Sequence, residues 1–235
     1  MNKKLCVLIN GSMRLPEQTI IDCIEDCKQQ FSFIEHDIWV FTWKTDNNIE
    51  KSIQPHVFKL IANEPSPTFL DLDWLEIPFT EQLKQHPEHA ICRVSHYSTM
   101  YGLNCIFEEI AKSGIMYEYA LRMRNDIVVK IDHPESWFHF LEPKKYITPP
   151  MMWSYLGIND HMGLGFFDDV KNIWTYDEEH FKTVIPQCWN FELYIQKRLE
   201  MFDIKNIIMP VSNYVVKRTN RAYPNGAPME DWILI

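Results

Sequence analysis

Two short apolar runs with one amphipathic stretch between them set the architecture of the N-terminal half. Lys4 to Asn10 (Lys-Leu-Cys-Val-Leu-Ile-Asn) and Asp37 to Trp43 (Asp-Ile-Trp-Val-Phe-Thr-Trp) are rich in β-branched and aromatic residues. That is the pattern of strands buried on both faces. Between them a helix is expected to begin near Pro16, a favoured first-turn residue. Its apolar stripe is Ile20, Ile24, Cys27 and Phe31, at helical spacing. Strand, helix, strand favours a right-handed crossover and a parallel sheet. The turn after the first strand of such a sheet is a common ligand site.

Later segments are read on the same rules. Residues 44–90 are weakly periodic and carry Pro55, Pro65, Pro67, Pro78 and Pro87, which predicts loops and short elements. A helix is expected from Ser95 to Lys112, with Leu103, Ile106, Phe107 and Ile110 on one face and Gly114 ending it. Tyr119 to Ile131 reads as one buried strand, and 132–150 as a proline-punctuated connection. A helix from Asn190 to Phe202 presents Ile195, Leu199 and Phe202 on one face. Ile204 to Val216 is expected to hold a last strand or two, followed by a polar tail. No repeat, low-complexity segment or linker divides the chain, so residues 1–235 are expected to form a single domain.

Composition removes several functions. The 23 basic and 32 acidic residues leave a net charge of −9, which argues against a nonspecific nucleic-acid binder. Six scattered cysteines show no zinc spacing and read as reduced core residues. The apolar run after Met-Asn-Lys-Lys is too short for a signal sequence, and no stretch is long enough to be an integral membrane segment. The expected location is the cytoplasm, at most peripheral to a membrane.

Chemistry concentrates in a few places. The expected strand 119–131 is interrupted by Arg122, Arg124 and Asp126, which alternation would put on one face. Ionised groups are costly to bury unless paired or bound to a ligand. Arginine suits phosphate through its planar fork, and aspartate suits a cation or a sugar hydroxyl. The structural alternative is an internal salt bridge. Asn10-Gly11-Ser12-Met13-Arg14 follows the first strand with small residues that permit backbone approach, and Arg14 is placed to meet a phosphate or base. Asn159-Asp160-His161-Met162-Gly163-Leu164-Gly165 is expected to be a polar loop closing over a site, or simply a capped turn. Asn190-Phe191-Glu192 opens a helix, with Asn190 as cap and Glu192 as an acceptor-binding acid or base. Asp71-Leu72-Asp73 has the form of a metal-binding pair, but no convincing strand precedes it.

The order of these pieces resembles nucleotide-sugar-dependent glycosyltransferases of the GT-A fold, in particular small glycosyltransferase-like proteins of bacterial surface-polysaccharide clusters and some large viruses. The likeness runs through a Gly/Arg turn after the first strand and an acid-apolar-tryptophan strand, Asp37 to Trp43. It continues through a His96-Tyr97-Ser98 helix region and a Tyr-x-apolar-apolar-Arg-x-Arg-x-Asp run, Tyr117 to Asp126. An Asp160 to Gly165 loop and an acid opening a helix that leads to a strand, Glu192 to Met209, complete it. The resemblance covers most of the chain.

The resemblance implies an α/β, GT-A-like (Rossmann-like) and mostly parallel central sheet flanked by helices. It implies transfer of a sugar from a nucleoside-diphosphate-sugar donor to a hydroxyl of a glycan or glycoconjugate. The donor site would comprise Asn10, Gly11, Arg14, Arg122, Arg124, Asn125 and Asp126, with Lys217 and Arg218 on phosphate. Asp126 would hold a divalent cation, Mn²⁺ or Mg²⁺. Glu192 or Asp160 would be the catalytic base, and Trp153, Tyr155 and His161 would meet the acceptor. The chain departs from the family pattern where Arg124 replaces the first acid of Asp-x-Asp. That departure keeps two alternatives open: a noncatalytic carbohydrate-binding protein retaining the fold, and another nucleotide-dependent α/β transferase.

Overall fold

The computed structural model describes residues 4–11, 16–44, 49–64, 88–150, 158–175, 177–184, 188, 191–216 and 232–234. The chain opens with β1 (Lys4–Asn10), α1 (Glu17–Gln30) and β2 (Glu35–Trp43), as the sequence pattern requires. A short α2 (Ile49–Ile53) and β3 (Lys59–Asn63) follow, then a long α3 (Glu88–Ser113). Next come β4 (Tyr119–Arg124), β5 (Ile127–Lys130), α4 (Pro134–His139) and β6 (Lys145–Thr148). The rest comprises β7 (Met162–Phe166), α5 (Phe167–Trp174), α6 (Glu178–Val184), α7 (Phe191–Met201), β8 (Lys205–Ile208), β9 (Asn213–Val216) and β10 (Trp232–Leu234).

Seven strands form the main sheet in the order β3-β2-β1-β4-β7-β6-β8. β1 is parallel to both β2 and β4, and β3 is parallel to β2. β7 runs antiparallel to its neighbours β4 and β6, while β8 is parallel to β6. β7 is therefore the one reversed strand in a mostly parallel sheet. Leu5, Val7 and Ile9 of β1 pack with α1 residues Ile20, Ile24 and Cys27 on one face. Cys6 and Leu8 pack with Leu103 and Ile106 of α3 and with Ile173, Trp174 and Ile195 on the other. The alternation of β1 thus buries both sides, which is why its sequence is apolar without interruption. On this topology the α/β, mostly parallel, helix-flanked sheet expected from the sequence is what the chain forms.

Three expectations change. Tyr119 to Ile131 is not one strand. It breaks at Asn125-Asp126, and β5 leaves the main sheet to pair antiparallel with β9, which pairs with β10 in a second three-stranded sheet. Asn and Asp favour turns through their own backbone bonds, and two together outweigh the β-branched residues that follow. Asp126 is accordingly a turn residue, not a third member of one strand face.

The supposed loop at Met162–Gly165 is β7. Its glycines make room for neighbours: a Cβ on Gly163 would lie 2.1 Å from the Tyr146 ring, and one on Gly165 would lie 3.0 Å from Val170. Residues 44–90 hold short elements as expected, α2 and the edge strand β3, whose half-buried side chains leave little periodic signal. The polar tail ends in β10.

At the amino ends of the strands the Trp39 indole donates to the Tyr117 hydroxyl (2.9 Å), which donates to Asp37 (2.6 Å), itself paired with Lys4 (2.8 Å). That network pins the end of the sheet opposite the candidate site. Among the described residues no helix is long and apolar enough to cross a membrane.

Candidate functional site

The register of β1 and β4 pairs Leu8 with Arg122 and Asn10 with Arg124, so both strands deliver their polar residues at the same level. Asn10 is buried, and its amide donates to the Thr99 carbonyl of α3 at 2.9 Å. Its Oδ1 is buried without a hydrogen-bond partner among the described residues. Gly11 follows with φ of 151°, and a Cβ there would sit 2.6 Å from Asn125 Oδ1. Only glycine lets the first turn close onto the β4–β5 turn at this distance.

Across that turn Arg124 forks Asp126: Nε donates to Oδ1 at 2.7 Å and Nη2 donates to Oδ2. Both side chains are mostly buried, 27% and 19% exposed, so the pair is stronger than a surface ion pair.

Arg122 lies deeper, 1% exposed, with its guanidinium 4.2 Å from the centre of the Trp174 ring. Its Nε and Nη1 are buried and have no hydrogen-bond partner among the described residues. Burial lowers its pKa to about 10, partly opposed by Asp160, so it stays a cation at neutral pH. Gly163 stands opposite Arg122 on β7 and lets the Tyr146 ring lie close, while the Trp174 indole donates to the Tyr146 hydroxyl at 3.1 Å.

Two more segments converge here. The Arg124 backbone N–H donates to the His161 carbonyl at 2.9 Å. Asn159 Oδ1 accepts from the backbone N–H groups of His161 (2.8 Å) and Met162 (3.3 Å), and its amide reaches the Pro149 and Pro150 carbonyls at 3.5 and 3.4 Å. This clamp fixes Asp160, whose Oδ1 is 3.4 Å from His161 Nε2. The Ile158 N–H donates to the Glu192 carbonyl at 3.2 Å, which brings the first turn of α7 to the same place. Burial, with the Asp160 charge adding to it, lifts Glu192 to about 7. Burial pushes His161 down to about 4 against the opposing pull of Asp160, so its imidazole is neutral at pH 7.

The structure therefore gathers Asn10, Gly11, Arg122, Arg124, Asn125, Asp126, Asp160, His161 and Glu192 around the carboxyl ends of β1 and β4. The expected Arg14, Trp153, Tyr155, Lys217 and Arg218 lie outside the described residues, as do Asp71, Asp73 and Asn190. Sequence reading missed the roles of Asn159, Trp174 and Tyr146. An Asn two residues before a histidine and three before a strand is a turn signal, but its reach to the two proline carbonyls is tertiary.

A divalent cation at Asp126 is a poor match for these groups. Both oxygens of Asp126 are forked by Arg124, and among the described residues no three His, Cys, Asp or Glu side chains gather as a metal site.

No protein-family description matches the chain, and no curated protein does. Among solved structures it is similar to a protein assigned as a nucleotide-diphospho-sugar transferase from Desulfovibrio desulfuricans G20, at 11% identity and a TM-score of 0.44, over 89% of this chain and 80% of that one. It is also similar to the glycosyltransferase GlyE of Streptococcus pneumoniae TIGR4, at 12% identity and a TM-score of 0.45, over 90% of this chain and 46% of that one. The apo form of GlyE gives 12% and 0.46, over 88% and 45%. The chain spans under half the length of the GlyE structures. Likeness of this degree assigns no activity.

Proposed function

We propose that this protein transfers a sugar from a nucleoside-diphosphate-sugar donor to a hydroxyl of a glycan or glycoconjugate. The observation that carries the reading is the place of Glu192: the first turn of α7, tied to Ile158 next to Asn159-Asp160, brings a half-buried carboxyl to the end of β4 that bears Arg124, and its surroundings lift it to about 7. A base that takes a proton from a hydroxyl works best with a pKa near the working pH. A departing diphosphate needs positive charge placed in advance, and Arg122 and Arg124 supply it. Asn10 and Gly11 offer a backbone turn at the carboxyl end of β1, where ligands of open α/β sheets bind.

In this scheme the acceptor hydroxyl gives its proton to Glu192 as its oxygen bonds to the sugar carbon. The sugar–phosphate bond breaks with its electron pair left on the diphosphate oxygen. Asp160 keeps the Glu192 pKa high and stands as the rival base. Arg14, Lys217 and Arg218 are assigned to the donor phosphates, and Trp153, Tyr155 and His161 to the acceptor.

A thermal-shift screen against UDP, GDP, CDP, dTDP and CMP tests the reading, because a ligand of the folded state raises the melting temperature by mass action. One nucleoside diphosphate is expected to stabilise the protein, and Glu192→Gln to retain that stabilisation while losing sugar transfer. No stabilisation by any nucleotide would leave a carbohydrate-binding role as the better account.

A further inference from the structure

Resting on the sugar-transferase reading, we propose that the donor diphosphate is held at the Arg122–Arg124 face of β4 without a divalent cation. The positive charge there is that of the buried Arg122, with Arg124 held beside it by Asp126 as a fixed set of donors.

Three observations converge on this. The first is the fork of Arg124 on Asp126, which engages both carboxylate oxygens in a mostly buried pair. A cation ligated by Asp126 would have to use the lone pairs left over from the fork and lie within a few ångströms of the Arg124 guanidinium, whose charge repels it. Mg²⁺ and similar ions also need about six oxygen ligands, and the described residues assemble no such set.

The second observation is Arg122. A buried guanidinium with Nε and Nη1 unpartnered is a set of donors awaiting acceptor oxygens. The Trp174 ring beneath it holds the cation in place but accepts none of those hydrogen bonds in its plane.

The third is spacing. Residues 122 and 124 are alternate positions of one strand, so their side chains leave the same face about 7 Å apart. That separation suits two linked phosphate groups. Asp126 then acts as a positioning residue: it holds the Arg124 guanidinium in one orientation, so that little side-chain entropy is lost when the diphosphate arrives.

The test is isothermal titration of the full chain with UDP, GDP, CDP and dTDP, each with EDTA and with Mn²⁺ or Mg²⁺. At least one nucleoside diphosphate is expected to bind with a Kd that changes less than about twofold between the two conditions. Arg124→Gln is expected to weaken that binding about tenfold or more, with Arg124→Lys in between. Should Arg124→Gln fail to fold, Asp126→Asn decides: a cation site built on Asp126 loses its metal-dependent binding in that variant, whereas the guanidinium site weakens by less than about tenfold and equally with EDTA and with metal. Binding that appears only with metal and disappears in Asp126→Asn overturns the proposal and leaves the sugar-transferase reading standing. Absence of binding to every nucleoside diphosphate under both conditions overturns the two together.

Discussion

Gly11 and Asn125 touch: at its φ of 151° the Gly11 Cα lies so close to Asn125 that a Cβ would stand 2.6 Å from the Asn125 Oδ1. This contact joins the turn after β1 to the turn after β4. Gly11→Ala is expected to destabilise the protein by about 1–3 kcal/mol, from backbone strain plus the clash. Gly114→Ala provides the control. Gly114 has φ of 68° but nothing within 4 Å of the new methyl group, so only strain is added, about 1 kcal/mol. Urea unfolding of both variants measures the difference, and nucleotide binding is expected to fail in the first alone.

Glu192 links stability to pH with a definite sign. Its carboxyl is lifted from 4.5 to about 7 in the folded protein, so the native state holds a proton that the unfolded state has released. This contribution is full below pH of about 4.5 and is lost as pH rises through about 7, an effect of about 3 kcal/mol. Sugar transfer runs the other way, because the base must be deprotonated: its rate is expected to rise through pH of about 7. Glu192→Gln removes both dependences, which urea titrations and pH–rate profiles would show.

His161 has the opposite sign. Burial holds its imidazole at about 4, against 6.5 when unfolded, so the unfolded state binds the extra proton. Its stabilising contribution is present above about 6.5 and is lost as pH falls through about 4. In the Glu192→Gln background stability is therefore expected to increase from pH of about 4 to about 6.5. NMR titration of the His161 ring protons checks the assignment, and an imidazole still charged at pH 6 (roughly the ordinary histidine range) would contradict it.

Arg122→Met separates stability from function. The guanidinium is 1% exposed with two unpartnered nitrogens, so its burial costs free energy in the unliganded protein. A methionine of similar length on the Trp174 face is expected to leave the melting temperature unchanged or higher. The same variant is expected to lose about tenfold in nucleoside-diphosphate affinity. A large fall in stability would instead make Arg122 a structural counter-charge to Asp160.

Much of this site is legible in the sequence because charges inside an apolar run are hard to explain otherwise. Arg122 and Arg124 fall on β4, and β1 spans Lys4–Asn10 as read. What the sequence hid depends on contacts between distant residues. The β-branched Ile127-Val128-Val129 continues the strand pattern past Asn125-Asp126, and only pairing of β5 with β9 shows that the chain has changed sheets. Gly163 and Gly165 read as loop glycines, yet they serve a strand whose neighbours Tyr146 and Val170 need the space. The pairing of the Asp126 carboxylate with Arg124, two residues away across a turn, is likewise visible only in the structure.

The central claim is that Glu192 takes the acceptor proton in sugar transfer, and phosphorus NMR of nucleotide-sugar turnover tests it most directly. One donor of a UDP-, GDP-, CDP- and dTDP-sugar panel, with a glycan acceptor, is expected to release its nucleoside diphosphate. Glu192→Gln is expected to slow that release by about a hundredfold or more while binding the nucleotide as before. A Glu192→Gln protein that turns the donor over as fast as the unaltered chain, or a panel in which no donor is consumed, would contradict the account.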